Sequence, residues 1–512
     1  MSKIKSFLEG NIKYLFLVLV LVVINFLFII EMKYNDNKIG ILCLLCLAAV
    51  QMIIMGIACI YLKNHVNEKK ENLFLKLFIP ISILYFIFLP VFCVPDEINH
   101  FLRAYEISDG HLISKEYNIS KNNKAGNKLD KNLSKITVVS TKYSDLLKLF
   151  KYNSSNKKKV YLFGNTSLYS FVCYLPQTFG ILIGKIIRAP LLVQAYLGRL
   201  FNLIVFTILG YFTIKFIPFK KISAFLILFS PIVMQEAISL SPDALTIASS
   251  SLLIAYILHL KYNCDSKLNR SQIVLLSLLS VVLSLCKIVY FPICMLLFII
   301  PFKRFGTKKK KNIIIISIII ISMILNLIWL SISSSFLPDS TSGANSSLQL
   351  SYILHNLHQY IYIIFNTYDK YLFYYLETGF GRILGLFSII LSELYVIPYI
   401  IIFIITCLFD NKKDNKKLEK YNYFLLIFII ISVIMLITTS LYLQWNPVGN
   451  KVIDGIQGRY YIPILFIFPF LFNNLSIKIN EKKELNLFNK YILLFIVSYN
   501  VYALLSILYI YI

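Results

Sequence analysis

The chain of 512 residues is both apolar and basic: 58% of its residues are hydrophobic, 15% are charged, and its formal net charge is +26. A mean hydropathy of +0.72 excludes an ordinary soluble globular protein, and apolar runs long enough to cross about 30 Å of hydrocarbon recur throughout. Lysines cluster in short gaps between these runs, so we assign the charge to topology and lipid headgroups and exclude nucleic acid as a partner. The composition predicts an all-α polytopic membrane protein.

The first apolar segments set the expected orientation. Residues 12–30 and 39–61 are predicted as two spans, and the lysine-bearing gap at 63–76 places the N-terminus in the cytoplasm. The unit 1–73 therefore comprises N-terminal spans and a cytoplasmic loop, and the membrane core at 74–473 begins with a span running outward.

A long polar region at 94–193 follows and is predicted as a large outer loop with flexible portions. Within it, residues 166–187 are apolar enough to span, but Pro176 interrupts them. Counting this segment as interfacial helices on the outer surface keeps every later basic gap in the cytoplasm, and we prefer that interpretation.

The remaining apolar segments complete a bundle of about thirteen spans, with outer loops at 335–390 and 444–459 and a final unit at 474–512 that contains a cytoplasmic loop and the last span. Two short segments at 272–285 and 288–301, joined by Lys287, are predicted to form a broken pair that enters from the inner side and returns. The other predicted spans are 194–216, 222–238, 244–260, 312–334, 391–409, 423–443, 460–472 and 491–512.

The stretch VPDEINHFLRAYEISDG, which begins at Val94, carries Asp96, Glu97, His100 and Arg103 at the outer boundary of the third span. If a helix opens after Pro95, then Asp96, His100 and Arg103 share one face of it. Carboxylates in the first turn of an ordinary surface helix are the alternative. Ionisable groups at a membrane boundary favour a functional role.

Three later residues are candidates for the same site. Asp243 opens a helix in SLSPDAL, where it could equally serve as a cap. Lys287 lies between the two short segments, with Tyr290 three positions on, and either binds an anion or extends to the interface.

The stretch GIQGRYYIP adds Gln457, Arg459 and Tyr460 to the candidate substrate-binding residues. Arginine suits a two-pronged grip on phosphate, although an interfacial anchor is the alternative for Arg459. Inverting glycosyl transfer needs a carboxylate base, here Asp96 or Glu97, and cations for the departing phosphate, here Lys287 and Arg459. No metal site is predicted from the sequence, and the cofactor is left open, since a divalent cation could assist.

The motifs PDEINHFLRAYEISDG, YLPQ, LGR, SLSPDALT, CKIVYFP and GIQGRYYIP, in this order, resemble those of a family of bacterial multi-pass membrane proteins known as a domain of unknown function. That family is grouped with the GT-C superfamily of polyprenyl-phosphate-sugar glycosyltransferases. The resemblance covers residues 74–473 and implies a GT-C membrane core with a lipid-phosphate donor held from the outer side.

The resemblance also implies roles for individual residues. The family's acidic pair falls on Asp96 and Glu97, its histidine on His100, its SPD aspartate on Asp243, and its QGRY motif on the residues from Gln457 to Tyr460. Protein mannosyltransferases and lipid A aminoarabinose transferases, which the chain resembles more distantly, have an HPPL-type segment where YLPQ stands here. The resemblance to these enzymes therefore does not extend to how the acceptor is bound.

Together these features predict a glycosyltransferase of the bacterial cytoplasmic membrane whose active site faces outward. Its expected partners are a polyprenyl-phosphate-linked sugar, a glycan or polymer acceptor of the cell envelope, and membrane lipids. A transporter or export subunit for lipid-linked sugars or polysaccharide is the alternative, and it would place charges along a path through the membrane midplane. A catalytically idle scaffold of a wall-assembly complex is a third possibility.

Overall fold

A computed structural model of the chain describes residues 41–119, 122–136, 157–333, 343–411, 418–475, 477–479 and 482–511, together with the isolated positions 23, 143, 150 and 155. Apart from Val23, the predicted first span at 12–30 lies outside the described residues. The helices found in the described ranges are α1 (Ile41–His65), α2 (Lys70–Phe88), α3 (Glu97–Ser108), α4 (Leu133–Ile136), α5 (Leu175–Ile186), α6 (Leu191–Phe216), α7 (Lys221–Leu228), α8 (Pro231–Ala237), α9 (Asp243–Tyr262), α10 (Arg270–Cys286), α11 (Lys308–Ser333), α12 (Ser346–His355), α13 (Leu357–Gly379), α14 (Glu393–Leu408), α15 (Lys420–Trp445), α16 (Ile462–Leu465), α17 (Phe468–Leu471) and α18 (Lys482–Tyr511).

Six helices of the described residues are long and apolar enough to cross a membrane, which confirms the prediction of a mainly helical membrane protein. They are Lys70–Phe88, Leu191–Phe216, Asp243–Tyr262, Lys308–Ser333, Lys420–Trp445 and, within α18, Glu484–Tyr511. The segments Phe171–Ile186, Arg270–Cys286, Ile288–Ile299 and Glu393–Leu408 are apolar but shorter. The predicted number of about thirteen spans thus stays a prediction.

Helix α9 occupies the centre of the bundle, because 94% of its apolar window is buried against other elements. Its small residues, such as Ala248 and Ser251, allow α6 and α10 to pack closely beside it. A helix so enclosed brings its first residue, Asp243, into the interior of the protein.

The two short segments on either side of Lys287 form a hairpin, as their sequence predicts. Helix α10 rises to Cys286, and a 3₁₀ helix at Ile288–Ile299 returns beside it. Because a 3₁₀ helix rises by about 2 Å per residue, its few residues cover almost the same length as the longer α10. The hairpin places Lys287 at its turning point, next to the start of α9.

Two of the predicted spans each contain more than one helix. Residues 222–238 form α7 and α8, which are separated at Ser230 because the proline that follows cannot continue the backbone hydrogen bonds of α7. Residues 460–472 form the short helices α16 and α17, after a 3₁₀ turn at Gly458–Tyr461. Prolines 463 and 469 open these two helices, so neither stretch is a single rod.

The apolar segment at 166–187 contains 3₁₀ turns at Gly164–Leu168 and Phe171–Tyr174 before the twelve-residue helix α5. Helix α5 folds back along the first part of α6, where a Cβ on Gly180 would lie only 2.3 Å from the carbonyl oxygen of Leu197. At about 1.5 Å per residue, α5 is too short to cross a bilayer. This is compatible with the interfacial interpretation, which stays a prediction.

The long polar region after α3 contains a small antiparallel sheet that the sequence analysis does not predict. Strands β1 (Lys115–Ile119), β2 (Asn122–Asp130) and β3 (Lys158–Leu162) pair in that order. Later, β4 (Ile383–Leu384) pairs with β5 (Ile389–Ile390), and β6 (Phe409–Asn411) runs parallel to β7 (Ile477–Ile479). The sheets lie at the ends of an otherwise helical bundle.

The basic gaps between helices meet at one end of the bundle. The amide of Leu268 donates to the carbonyl of Arg304 at 2.8 Å, and Lys220 donates to the carbonyl of Cys407 at 2.8 Å. Lys221 lies 3.8 Å from Glu71, and β6 and β7 join the regions after α14 and before α18. The starts of α3 and α9, Lys287 and Arg459 all lie at the opposite end.

Candidate functional site

Four charged side chains from separate parts of the chain meet at the end of the bundle opposite the basic gaps. Glu236 comes from α8, Asp243 from α9, Lys287 from the α10 hairpin and Arg459 from the turn before α16. Lys287 forms an ion pair with Asp243, and Arg459 Nη1 lies 2.8 Å from Glu236 Oε1. Arg459 Nε lies 3.8 Å from Asp243 Oδ2, which joins the two pairs into one charge cluster.

Local backbone structure fixes the members of the charge cluster. Pro242 stands at the N-cap of α9 without a side-chain cap, and the Asp243 carboxylate is bonded to Lys287 instead of to the start of the helix. The amide of Asp243 donates to the hydroxyl of Ser241 at 3.1 Å. Gly458 packs directly on the C-terminal turn of α13, where a Cβ would lie 2.2 Å from the amide nitrogen of Gly379. This close approach, which only glycine permits, positions Arg459.

Two buried polar atoms of the charge cluster make no hydrogen bond within the described part of the chain. They are Glu236 Oε2 and Arg459 Nε. Leaving such atoms unbonded costs about 1–3 kcal/mol each, and more for charged groups. Most buried polar groups in native folds are hydrogen-bonded, so the charge cluster is less completely bonded than a typical buried ion pair.

Tyrosines surround the two cations. The Lys287 ammonium lies 5.5 Å from the ring centre of Tyr169 and 5.2 Å from that of Tyr460, and the Arg459 guanidinium lies 5.6 Å from the Tyr460 ring. Tyr290 donates from its hydroxyl to the Tyr460 carbonyl at 2.9 Å. Cation–π contacts of this kind hold the cations in place without neutralising them.

His100, on α3, is buried beside the charge cluster. Its Nδ1 lies 2.7 Å from the hydroxyl of Tyr174. Burial lowers the pKa of His100 to about 3, with the nearby charges of Asp243, Arg459 and Lys287 acting in opposing directions. The imidazole is therefore neutral at pH 7 and adds no charge to the site.

Glu97 is enclosed in a separate ion pair with Arg199 of α6, which is equally buried. Its carboxylate accepts hydrogen bonds from Arg199 Nε at 2.7 Å and Nη2 at 2.6 Å, and from the amides of Phe92 at 2.8 Å and Leu240 at 3.0 Å. Arg199 also donates to the carbonyls of Leu89 and Pro90 at 2.7 and 2.9 Å. These contacts occupy both oxygens of Glu97, so its predicted role as a base is not supported by its surroundings, which indicate a structural one.

Arg103 does not reach the charge cluster, and the predicted shared face of Asp96, His100 and Arg103 is wrong. Arg103 Nη1 lies 2.6 Å from Glu106 Oε2, and Nη2 donates to the carbonyl of Leu112 at 2.5 Å. Helix α3 begins at Glu97, one residue later than the shared face requires, and Asp96 has a left-handed backbone with φ of 59°. The side chain of Asp96 therefore leaves the chain in another direction.

Asp96 is exposed, unlike the neighbouring acid Glu97. It caps the start of α3 through its backbone without any side-chain hydrogen bond to the helix, and aspartate tolerates the left-handed conformation that this position requires. It borders a depression that is also lined by Phe92, Val94, Glu97, Ile98, Asn99 and Leu386, and of the two acids there only Asp96 is exposed. Asp96 is thus the acid of the motif that a substrate can reach.

A cleft lies beside this depression, on the other side of the β4–β5 turn. It contains roughly 350 Å³ of empty space, part of it open to solvent. Pro95 forms one wall, and Gln457 and Arg459 form another. The remaining lining residues are Ile232, Gln235, Tyr374, Thr378, Ile383, Gly385, Phe387 and Gly458.

The sequence analysis misses three residues of this region. Glu236 is an acid inside an apolar run, and that signal alone marks it as a candidate. Arg199 appears in the LGR motif, but nothing in the sequence pairs it with Glu97. Tyr169 carries no signal of its own. Among the described residues, no group of three or more histidines, cysteines or acids comes together as a metal site.

A family model described as "Predicted membrane protein (DUF2142)" matches residues 77–468 of the chain. The match covers well over half of the sequence and contains α3, the charge cluster, the depression beside Asp96 and the cleft beside Arg459. No curated protein and no protein of solved structure matches the chain.

Proposed function

We propose a function from the premise that the chain belongs to the DUF2142 family of predicted membrane proteins. In this proposal it is a membrane glycosyltransferase of the GT-C type, which moves a sugar from a polyprenyl-phosphate donor to a glycan or polymer acceptor of the cell envelope. The observation that carries the proposal is the cleft between Pro95 and Arg459, with the exposed carboxylate of Asp96 next to it.

The position of the basic gaps supports an outward-facing site. Short lysine-rich loops remain preferentially in the cytoplasm, and these loops meet at one end of the bundle. The charge cluster and the cleft lie at the other end, which is then the outer face. This orientation agrees with a cytoplasmic N-terminus, as proposed from the sequence.

The charge cluster provides cations for a phosphate leaving group. A polyprenyl-phosphate sugar carries one negative charge, and its phosphate gains a second when the bond to the sugar breaks. Arg459 lines the cleft, and its ion pair with Glu236 uses Nη1, so the remainder of the guanidinium can donate to the phosphate without giving up that pair. Donors that meet a developing charge in a buried setting stabilise the transition state more than they would in water.

Asp96 is the proposed base. It takes the proton from the acceptor hydroxyl as the acceptor oxygen forms its bond to the anomeric carbon of the sugar. The bond between that carbon and the phosphate oxygen breaks on the opposite side, and the electron pair leaves with the phosphate. The configuration at the carbon is therefore inverted. Glu97 acts only by holding the start of α3 against α6 through Arg199.

The test uses the full chain reconstituted in phosphatidylcholine vesicles with undecaprenyl-phosphate glucose, mannose or galactose as donor. Release of undecaprenyl phosphate is measured with and without an acceptor extract of envelope glycans, and with and without Mg²⁺. Asp96→Asn is expected to lower release by about 10²-fold or more, because a general base contributes roughly 10²–10⁴-fold.

The matched control is Asp369→Asn, which removes the same charge from an exposed position on α13. Release that is equal in the Asp96 and Asp369 variants contradicts the assignment of the base. Movement of an intact labelled donor across the vesicle membrane, with no release by the wild type, contradicts the enzyme and favours the transporter.

A further inference from the structure

The β1–β3 sheet has a strongly basic face that the reaction at the cleft does not use. Opposite partners in an antiparallel pair point to the same side, as do alternate residues along one strand. The register pairs Lys115 with Gly126, Val160 with Lys128 and Lys158 with Asp130. Lys115, Lys128 and Lys158 therefore share one face, one lysine on each strand, and we call it the lysine face.

The lysine face points away from the body of the protein. Leu129 and Tyr161, which belong to the other face, are buried in the same apolar cluster as Phe101 and Tyr105 of α3. All three side chains of the lysine face are exposed. Lys131 and Lys157, at the adjoining turns, are exposed as well, so the charge extends beyond the strands.

Acids do not offset this charge among the described side chains of the sheet. Asp130 is the one carboxylate among those side chains, and it lies on the lysine face opposite Lys158, but it is buried and accepts hydrogen bonds from the amides of Asn132 and Ser155. The three lysines follow a diagonal across the strands, with backbone separations of roughly 8 Å from one to the next, given the usual spacings of strands and residues. An extended polyanion can contact such a row at several points at once.

Both ends of the sheet lead to the candidate site. Strand β1 follows α3, which begins next to Asp96. Strand β3 is followed by a 3₁₀ turn that leads to Tyr169, whose ring contacts the Lys287 ammonium. The hydroxyl of Thr166 in that turn donates to the carbonyl of Asn99 at 3.3 Å, which ties the two approaches together. A chain held on the lysine face is therefore held by elements that also build the site.

We propose that the lysine face binds a polyanionic envelope polymer, with phosphate or carboxylate groups along a glycan or polyol chain, and that this polymer is the acceptor. Its identification as the acceptor rests on the proposed function, whereas its binding does not. This accounts for a lysine-rich loop on the outer side, where the usual charge bias of membrane proteins does not favour it. Multiple phosphate contacts make such binding strong at low salt and weak at high salt.

The binding test uses full-length protein in phosphatidylcholine nanodiscs and fluorescent poly(glycerol phosphate) as the probe, at 50 and 300 mM salt. The face variant K115Q/K128Q/K158Q is compared with K308Q/K309Q/K310Q, which removes three exposed lysines at the opposite end of the bundle. The face variant is expected to bind at least ten-fold more weakly at 50 mM salt, and the control within two-fold of wild type. Neutral dextran is expected not to bind.

The proposal would be overturned if both triple variants lost polymer affinity equally, or if the face variant bound the polymer as the wild type does. The proposal is also overturned if the face variant binds the polymer normally and loses binding to phosphatidylglycerol vesicles, because the lysine face would then contact a membrane surface. D369N, which removes a charge from an exposed position outside the proposed site, is expected to bind the polymer as the wild type does. If polymer binds but no sugar is transferred by the wild type, the proposed function fails while the binding surface stands.

Discussion

Glu97 with Arg199 and Glu236 with Arg459 are two buried carboxylate–guanidinium pairs in the same bundle, and they differ in how completely they are bonded. Both oxygens of Glu97 are occupied, and Arg199 also bonds two backbone carbonyls. In the second pair, Glu236 Oε2 and Arg459 Nε make no hydrogen bond within the described chain. The first pair is fully used in holding the fold together, whereas the second lies at a cleft, where Arg459 can also contact a ligand.

The sharpest test of this contrast is Glu97→Gln. It leaves the Arg199 charge buried without its partner, and breaking a buried pair in this way costs about 3–5 kcal/mol. We expect a large fall in thermal stability of the protein in detergent. The double variant E97Q/R199Q is expected to recover part of the loss, because no uncompensated charge stays buried. Wild-type stability in E97Q would mean that Glu97 is free for another role.

The second test neutralises the unsaturated pair as a unit. E236Q/R459Q leaves no uncompensated charge, so we expect the fold to survive. Donor affinity is expected to fall by about ten- to a hundred-fold, since a hydrogen bond to a charged group is worth about 1.5–3 kcal/mol. Titration with farnesyl phosphate measures this, with E97Q/R199Q as the comparison. Unchanged affinity in E236Q/R459Q would remove Arg459 from the donor site.

The third test concerns the backbone contact that positions Arg459. Gly458→Ala places a methyl group against the end of α13, and overpacking of this kind costs about 1–3 kcal/mol. We expect a lower melting temperature together with weaker donor binding. Gly56→Ala, in α1, is the control: nothing lies within 4 Å of its added Cβ. A G458A protein as stable as the wild type would show that the contact is loose.

The smallest expected effect is a dependence of stability on pH through His100. Its pKa falls from about 6.5 in the unfolded chain to about 3 in the fold. The unfolded state therefore binds more protons between these values, and stability declines as pH falls through 6.5 towards 3. From pH 7 to pH 6 the loss is less than about 1 kcal/mol. Melting curves of H100Q are expected to lack this slope, and an identical slope would contradict the assignment.

Parts of the site follow from the sequence because their signals are local. Asp243 and Lys287 stand at the ends of apolar runs, where a charge needs a partner, and the interruption at Lys287 predicts a turn in a hairpin. The GIQGR motif combines a permissive glycine with an arginine. Each of these residues was therefore a candidate before any contact was known.

The contacts themselves do not follow from the sequence. Glu97 and Arg199 are 102 positions apart, and Arg459 and Glu236 are 223 apart, so no local pattern pairs them. The exposure of Asp96 depends on one left-handed residue before α3. The β1–β3 sheet is built from polar residues without a regular alternation of apolar and polar positions, which is the usual signal of a strand.

The sequence by itself determined that this protein is a mainly helical membrane protein, where its basic gaps lie, and which ionisable residues stand at the ends of its apolar runs. These are consequences of composition and spacing along one chain. Only the tertiary structure decided which of two adjacent acids is enclosed and which is exposed, and which cations keep unbonded atoms. Those outcomes depend on the partners that distant segments bring, because hydrogen bonding and burial are properties of the packed assembly.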